Sequence, residues 1–304
     1  MAGSGGSYDP KKVRTEVREL QSKIDSAQYE ADVAHLLSTM LASANDRDVK
    51  AISTHLSSIK RAIERDADGV VDLMFGGSVA KKTYVEGISD VDALVVLNES
   101  EPGQRSPLEV RDYFIARLRE RLPGTIVEAD GFAVVVKYAD ATIDLVPVKR
   151  RSDTYLLPSE DCASWSRVRP RAFAEALSTC NRAQNGKVIP TIKLAKIVLT
   201  NLPEARRPSG YHLEALALDA FSTYHGTTTP KEMLTQLFMR AAQRVLKPIE
   251  DRTGQSRNVD EYLGASGSVE RRILSESLGR IARRLTNADD ARSLDQWKHI
   301  LGDG

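Results

Sequence analysis

Three aspartates in the first half of the chain have the residue type and spacing of a divalent-metal site. Asp90 and Asp92 open the nearly all-apolar segment 91–97, and residues two apart on a strand point to the same side, so both carboxylates reach one pair of cations. Asp144 is the single acid in the apolar segment 142–148. Carboxylates beside buried strands are costly unless a cation neutralises them. Three aspartates on neighbouring strands are the oxygen ligands that hold two Mg²⁺ or Mn²⁺ ions for phosphoryl or nucleotidyl transfer.

The D-x-D spacing by itself says little, because it occurs three times. Asp46 and Asp48 stand at the start of a predicted helix, where acids suit the helix dipole, and Asp66 and Asp68 lie in the turn that ends it. Those two pairs have structural explanations, so the metal hypothesis depends on the third pair. Asp144 taken alone also fits an edge strand that faces water, and only the three acids together favour the metal site.

A glycine-rich turn precedes the acids and could hold phosphate groups. Gly76, Gly77 and Ser78 join a predicted strand to a short helix, and glycines there let backbone N–H groups approach a phosphate closely. Most such triplets are ordinary turns. Ser78 lies 12 residues before Asp90, so we expect the phosphate loop and the metal ligands to share one edge of the sheet.

Positive charge collects between the predicted sheet and the helices that follow it. Residues 149–207 contain twelve Lys or Arg against five acids, in a chain whose net charge is +1. Lys193 and Lys196 lie one helical turn apart in this segment, and their ammonium groups suit phosphate oxygens. A pair that extends into solvent is the alternative. Tyr211, just beyond the segment, is by type more often a core residue than one that stacks on a base.

The elements that must position these residues follow from hydrophobic periodicity. Two helices are predicted before residue 65, and the first carries a narrow apolar stripe at spacings of four and three: Val13, Val17, Leu20, Ile24, Ala27, Ala31 and Ala34. Strands are predicted over 70–75, 91–97, 125–129, 132–138 and 142–148, and helices over 107–122 and from Pro170 to the end.

This order of elements predicts an α+β fold. A mixed sheet backed by helices, with a long N-terminal helix, precedes an all-helical C-terminal bundle. We expect a flexible leader over residues 1–10, a core domain over 11–165 and a helical domain over 166–304. No sustained coiled-coil heptad with e/g charge pairing stands out, so the oligomeric state is left open.

Composition excludes several classes of protein. The chain has 304 residues, 41% hydrophobic and 28% charged, as expected of a globular protein rather than a disordered one. No apolar run approaches the roughly 20 residues of a membrane span and no secretory signal is present, so we expect no membrane partner and a cytoplasmic location. Cys162 and Cys180 form no C-x-x-C motif, and none of the five histidines has ligand spacing. A disulfide framework and a zinc site are therefore not expected.

The segment from Gly77-Ser78 through Ala80-Lys81-Lys82-Thr83 to Ser89-Asp90-Val91-Asp92 follows the pattern G-S-x-A-K-x-T-x-x-x-G-x-S-D-x-D at every fixed position. This pattern resembles the polymerase-β-like nucleotidyltransferases, and within them the branch of the cyclic GMP-AMP synthases and the DncV-like bacterial cyclic-oligonucleotide synthases. The resemblance extends from about residue 10 to the end of the chain. It implies a polymerase-β-like nucleotidyltransferase core.

The resemblance also implies an activity and further roles. The activity is template-independent joining of NTPs, ATP foremost, into a cyclic di- or trinucleotide messenger for antiphage (CBASS) signalling, with two metal ions. Lys196 matches a lysine that contacts the donor triphosphate, and Tyr211 matches an aromatic residue that stacks on a base. Gly210 departs from the family, because relatives carry Ser or Gln before that tyrosine.

Other functions stay open at this stage. A linear oligoadenylate synthase, or a transferase that modifies RNA ends or proteins, would use the same residues, and a catalytically silent nucleotide-binding scaffold is a third possibility. The zinc loop and broad basic surfaces of the family's metazoan DNA sensor are not evident, so a nucleic-acid activator is not implied. Some relatives end in a small residue that a ubiquitin-transfer-like enzyme conjugates to other proteins. Gly304 is compatible with such a partner, and a frayed terminus is the alternative.

Overall fold

The computed structural model describes residues 10–46, 49–64, 71–86, 88–89, 91–97, 105–151, 154–159, 162–254 and 256–302. It confirms the predicted α+β class. The helices are α1 (Pro10–Asn45), α2 (Val49–Glu64), α3 (Gly77–Ala80), α4 (Pro107–Arg121), α5 (Pro170–Ala183), α6 (Val188–Leu199), α7 (Gly210–Phe221), α8 (Pro230–Arg244), α9 (Val269–Asp290) and α10 (Leu294–Leu301). The strands are β1 (Val71–Phe75), β2 (Val91–Leu97), β3 (Ile126–Asp130), β4 (Ala133–Lys137), β5 (Thr142–Arg151), β6 (Thr154–Pro158) and β7 (Trp165–Val168).

The strands form one mixed sheet. The order is β1-β2-β5-β4-β3, with β6 beside the end of β5 and β7 beside β6. β2 and β5 run parallel, whereas β1 with β2 and β4 with β5 are antiparallel. β5 is therefore an inner strand, and the interpretation of Asp144 as a residue of a water-facing edge strand is wrong.

One face of the sheet is covered by α2 and α4. Ile59 and Ile63 of α2 pack with Phe114 and Leu118 of α4 against inward side chains such as Val95. α4 begins sharply because a capping box satisfies its first N–H groups: Ser106 accepts from the backbone of Glu109, and the Glu109 carboxylate accepts from the backbone of Ser106. This packing leaves the other face of the sheet, with Asp92 and Asp144, turned toward the C-terminal helices.

The helical half has its own core, and α1 is part of it. Tyr29, Val33 and Leu37 of α1 pack among the buried side chains of α5 to α10. Trp297 of α10 is fully buried, and its indole N–H donates to the hydroxyl of Tyr29 at 2.9 Å. α1 thus belongs by its contacts to the helices that follow the sheet in sequence.

The predicted apolar stripe of α1 is not the face that packs. Val17, Leu20 and Ile24 are 58%, 58% and 60% exposed, and the three alanines that continue the stripe are exposed as well. The buried residues of α1, such as Tyr29 and Val33, lie on the opposite side of the helix, since each residue turns the helix by about 100°. The side chain of Val13 lies outside the described residues.

The C-terminal half differs from the prediction in two places. Residues 154–158 and 165–168, to which the sequence pattern assigns no element, form β6 and β7. The sequence pattern predicts helices from Pro170 to the end of the chain, but α8 ends at Arg244. In the described residues between 245 and 268, regular structure is limited to the 3₁₀ turn Glu261–Leu263 and an isolated bridge between Glu250 and Asn258. Both cysteines are buried. None of the helices in the described ranges is long and apolar enough to cross a membrane.

Candidate active site

Asp92 and Asp144 lie side by side on the two parallel strands at the centre of the sheet. In the β2–β5 ladder Asp92 is the register partner of Asp144, and neighbouring strands are about 4.8 Å apart. Both aspartates are half-buried and line a cavity of about 660 Å³. Flanking residues such as Val91 and Ile143 point to the opposite face and are buried there, so packing fixes which way the carboxylates point.

The third predicted ligand, Asp90, lies outside the described residues, as do Asp48, Asp66, Asp68 and Gly304. Among the residues that the structure does describe, no group of three or more His, Cys, Asp or Glu is placed to hold a metal ion. Two carboxylates in register offer oxygen ligands of the kind that Mg²⁺ and Mn²⁺ prefer, so the described part of the site fits such an ion.

The glycine-rich turn folds directly over Asp92. The N–H of Gly76 donates to the backbone carbonyl of Asp92 at 2.9 Å, and the N–H of Ser78 donates to the Asp92 carboxylate at 3.3 Å. Gly77 has a φ of +44°, and a Cβ on it would lie 1.6 Å from Oδ2 of Asp92. Only glycine allows the turn to approach the carboxylate this closely.

The side-chain hydroxyl of Ser78 has no hydrogen-bond partner among the described residues. Its Oγ is buried, and the residue is only 8% exposed. A buried hydroxyl without a partner is unusual in a folded protein and points to a missing ligand. Ser78 lines the cavity beside Asp92, where a phosphate oxygen could accept its hydrogen bond.

Lys196 reaches the same cavity from α6. Its ammonium group donates to the carbonyl of Thr83 at 2.9 Å and lies 3.7 Å from the Glu214 carboxylate. Burial lowers the pKa of Lys196, and Glu214 opposes that shift by favouring the charged form. Gly210 faces this group, since a Cβ on it would lie 3.7 Å from Nζ of Lys196. Glycine at this position leaves room above the ammonium group.

Sequence reasoning missed the buried acid that organises this corner. Glu214 is 1% exposed and accepts from the hydroxyl of Thr83, and it pairs with the ammonium groups of both Lys81 and Lys196. Two lysines share one carboxylate, so the cluster keeps a net positive charge beside the phosphate turn. An acid in the apolar run 210–221 was the available signal, because a buried carboxylate needs cationic partners.

Tyr211 is held at the cavity wall by its neighbours. Its hydroxyl donates to Asp251 at 2.6 Å, and its ring packs edge-on against Phe173 with 4.8 Å between centroids. The ammonium group of Lys81 lies 4.9 Å from the ring centroid. Burial and the hydrogen bond to Asp251 both raise the pKa of Tyr211. The ring is thus fixed in place, with part of its surface on the cavity.

Lys193 does not join this arrangement. Its ammonium group donates to the side-chain carbonyl of Asn45 at the end of α1, and Lys193 is not among the residues that line the cavity. A spacing of three places two residues on adjacent but not identical directions of a helix. Because the two side chains of α6 leave the helix in different directions, Lys196 lies in the cavity and Lys193 contacts α1.

A second buried network stands behind the Tyr211 wall. His212 and Asp260 are both fully buried, with 3.6 Å between Nε2 and the carboxylate. Nδ1 of His212 lies 2.8 Å from the hydroxyl of Tyr262, and Tyr262 lines the cavity. Arg271, also fully buried, pairs with Asp260 at 2.6 Å. His212 is therefore part of a buried polar network that includes Asp260, Tyr262 and Arg271.

His212 should make the fold sensitive to mild acid. Burial lowers the pKa of His212 to about 4, an effect that Arg271 strengthens and Asp260 opposes. The unfolded chain protonates this histidine near pH 6.5, so the stabilisation is complete above that pH and is lost as the pH falls toward 4. We expect His212→Asn to remove up to about 3 kcal/mol of this pH dependence.

Urea unfolding at several pH values between 4 and 7 measures the effect. His299 is exposed, and His299→Asn is the matched control. An unfolding free energy that varies equally with pH in the wild type and in His212→Asn would contradict the expectation.

Comparison with known proteins identifies the family of the chain. Residues 30–181 match the model of the Second Messenger Oligonucleotide or Dinucleotide Synthetase domain. A cyclic AMP-AMP-AMP synthase of Acinetobacter sp. is 25% identical over 237 residues, which are 74% of this chain and 68% of that protein.

Solved structures share the fold. The GTP complex of the CD-NTase CdnG of Bradyrhizobium diazoefficiens has a TM-score of 0.67 at 17% identity, over 89% of this chain and 96% of that one. A complex of E. coli MS115-1 CdnC with HORMA-deltaN has a TM-score of 0.66 at 16% identity, over 90% of this chain and 96% of that one.

The family match makes this chain a nucleotidyltransferase, and its fold is the one that its structural neighbours share. More specifically, the chain belongs to the family of Second Messenger Oligonucleotide or Dinucleotide Synthetase domains, a family of cyclic-oligonucleotide synthases.

Proposed function

We propose that this enzyme joins NTPs, ATP among them, into a cyclic di- or trinucleotide, and that Asp90, Asp92 and Asp144 bind two divalent metal ions. The observation that carries the proposal is the register of Asp92 with Asp144 directly under the Gly77-Ser78 turn. The Acinetobacter relative is a cyclic AMP-AMP-AMP synthase, which supports a product built from AMP units. Structures of similar fold include E. coli MS115-1 CdnC with ATP and Bradyrhizobium diazoefficiens CdnG with GTP, which supports NTPs as substrates.

Several of the residues that line the cavity would take part in this reaction. The unpartnered hydroxyl of Ser78 would donate to a triphosphate oxygen, and Lys196 would add positive charge from the far wall of the cavity. Tyr211 would support a base with the exposed part of its ring. Divalent ions, when bound, would neutralise the triphosphate and lower the pKa of the attacking ribose hydroxyl.

The bond changes are those of nucleotidyl transfer. A ribose hydroxyl of one nucleotide attacks the α-phosphorus of another, the new P–O bond forms, and pyrophosphate leaves. The last transfer is intramolecular: the free ribose hydroxyl of the linear product attacks the α-phosphorus of that product's own triphosphate. This step closes the ring and releases a further pyrophosphate. Asp144, on the strand beside Asp92, would help to remove the hydroxyl proton. The product would act as a second messenger in antiphage signalling, which the family description supports at the level of a messenger.

Product analysis tests the proposal. Pure protein is incubated with radiolabelled NTPs and Mg²⁺ or Mn²⁺, treated with phosphatase and separated by thin-layer chromatography. We expect a phosphatase-resistant product from the wild type and none from Asp90→Ala/Asp92→Ala. Asp130→Asn, which changes an exposed aspartate at the end of β3, is the matched control and should retain the product.

The other outcomes are equally informative. A phosphatase-sensitive ladder would indicate a linear synthase and contradict cyclisation. Transfer of label to RNA or protein would indicate a modifying enzyme. Nucleotide binding without any turnover would support a silent scaffold. Mass spectrometry after coexpression with a ubiquitin-transfer-like enzyme would test a second proposal, conjugation through Gly304.

A further inference from the structure

The long helix α1 carries an apolar stripe that no other part of the described structure covers. The stripe consists of six exposed residues at spacings of three and four: Val17, Leu20, Ile24, Ala27, Ala31 and Ala34. The first three are 58–60% exposed. Tyr29 and Val33, on the opposite side of α1, already bind the helix to the core. The stripe is therefore not needed for packing within the chain, and an exposed apolar strip of this length marks an interaction surface.

The spacing of the stripe fits another helix. Alternating steps of four and three give a 3.5-residue repeat, the pattern of a coiled-coil seam. The sizes along the stripe are uneven: large side chains occupy its first half, and alanines occupy its second half. We propose that two copies of this chain associate through this stripe, with their α1 helices antiparallel.

Antiparallel pairing makes the two halves of the stripe complementary. With residue 17 opposite residue 34 of the second copy, every layer pairs a large side chain with an alanine: Val17 with Ala34, Leu20 with Ala31, and Ile24 with Ala27. Such alternation fills the seam and lets the helices approach closely. A parallel pair would instead place leucine on leucine at one end and alanine on alanine at the other.

Charges beside the stripe select the same register. Positions 16, 23 and 30 flank the stripe on one side, and they are Glu16, Lys23 and Glu30. In the proposed register Lys23 of each copy lies beside Glu30 of the other, which gives two opposite-charge pairs. A shift by one heptad would place Lys23 of one copy beside Lys23 of the other, and Glu16 beside Glu30. A shift by one heptad in the other direction would place Glu30 beside Glu30 of the other copy. Both alternatives place like charges together, so they are disfavoured.

Glu30 stands in surroundings that can accept another cation. Lys231 lies 2.6 Å from Glu30, 2.8 Å from Asp289 and 3.5 Å from Glu232. Three carboxylates thus share one ammonium group, and the local charge is negative. Lys23 from a second copy would reduce that excess. A parallel pair would lack these charge pairs, since Lys23 of one copy would then face the neutral Gln28 of the other.

Molar mass in solution tests the association. Size-exclusion chromatography with light scattering is run on the full chain over a range of concentrations. We expect the wild type to approach the mass of two chains as concentration rises, and Leu20→Glu to stay at the mass of one. Arg18→Glu adds the same acid on the opposite side of α1, at an exposed position, and should still dimerise. A wild type that stays monomeric at its highest soluble concentration would overturn the proposal.

Disulfide trapping tests the orientation. One chain carries Val17→Cys and a second chain, with a tag of different size, carries Ala34→Cys. The two chains are mixed and oxidised. The native cysteines are buried and do not compete. Antiparallel pairing predicts a cross-linked species that joins the two different chains. Cross-links only between identical chains would show a parallel pair and overturn the proposed arrangement.

Charge reversal tests the register. Lys23→Glu places like charges together twice in each dimer, and we expect dimerisation about tenfold weaker. Lys23→Glu/Glu30→Lys restores opposite charges and should recover most of that loss. Leu20→Glu should leave nucleotide turnover per monomer unchanged, because α1 contributes no residue to the cavity lining. Failure of the double variant to recover would contradict the register.

Discussion

Gly77→Ala is expected to lower nucleotide turnover by about a hundredfold while leaving the fold intact. A Cβ at this position would lie 1.6 Å from Oδ2 of Asp92, so the turn or the carboxylate must move by an ångström or more. Displacements of that size at reacting groups cost about a hundredfold in rate. The backbone adds strain, since Gly77 has a φ of +44° that alanine adopts poorly.

A matched control separates the clash from the strain. Gly131 has a similar φ of +53°, and nothing lies within 4 Å of a Cβ built on it. We expect Gly131→Ala to keep wild-type turnover with a modest loss of stability. Turnover at saturating NTP and Mg²⁺ is the measurement, with circular dichroism to verify folding. Wild-type turnover in Gly77→Ala would show that the position of Asp92 does not limit the reaction.

The sequence predicted the local parts of the candidate site. Strand periodicity predicts that Asp90 and Asp92 point to the same side, the apolar run 142–148 singles out Asp144, and the glycines predict the 76–78 turn. The register that makes the two aspartates neighbours joins strands about 50 residues apart in sequence. Periodicity carries no information about such a pairing, so the side-by-side placement required the structure.

Side-chain directions in the helices were harder to predict. Lys193 and Lys196 look equivalent in an apolar helix, and only the packing of α6 against its neighbours separates them. Glu214 and Asp219 are both acids of α7, yet one is buried and the other exposed. The stripe of α1 was visible in the sequence, but the core selects the opposite side through Tyr29. Long-range contacts decide each case, and no local pattern reports them.

Arg271→Met is expected to lower the free energy of unfolding by about 3–5 kcal/mol. Arg271 and Asp260 are both 0% exposed, and the guanidinium donates to the Asp260 carboxylate at 2.6 Å and to the carbonyls of Val245 and Gly264 at 2.9 and 3.0 Å. Methionine fills similar space but leaves the carboxylate buried without its cation. The pKa of Asp260 lies below its usual range, with burial opposed by the hydrogen bond from Arg271, so the carboxylate stays charged in the wild type.

The arginine supports the active-site wall through the segment it anchors. Residues 245–268 contain little regular structure, yet they hold Asp251 against the Tyr211 hydroxyl and place Tyr262 at the cavity. The described part of this segment has few helix or sheet hydrogen bonds, so its position also depends on polar contacts such as the one from the Ile249 N–H to the Asp260 carboxylate. Loss of Arg271 should therefore also loosen nucleotide binding at temperatures where the fold persists.

Urea unfolding followed by circular dichroism measures the free energy of unfolding of Arg271→Met and of the wild type. Arg272→Met, at the exposed neighbouring position, is the control and should change that free energy by less than about 0.5 kcal/mol. Asp260→Asn/Arg271→Met removes the uncompensated charge, so it should be more stable than Arg271→Met alone. A double variant as unstable as the single one would show that the cost comes from lost packing and lost carbonyl contacts. In that case the unpaired charge of Asp260 would not account for the loss of stability in Arg271→Met.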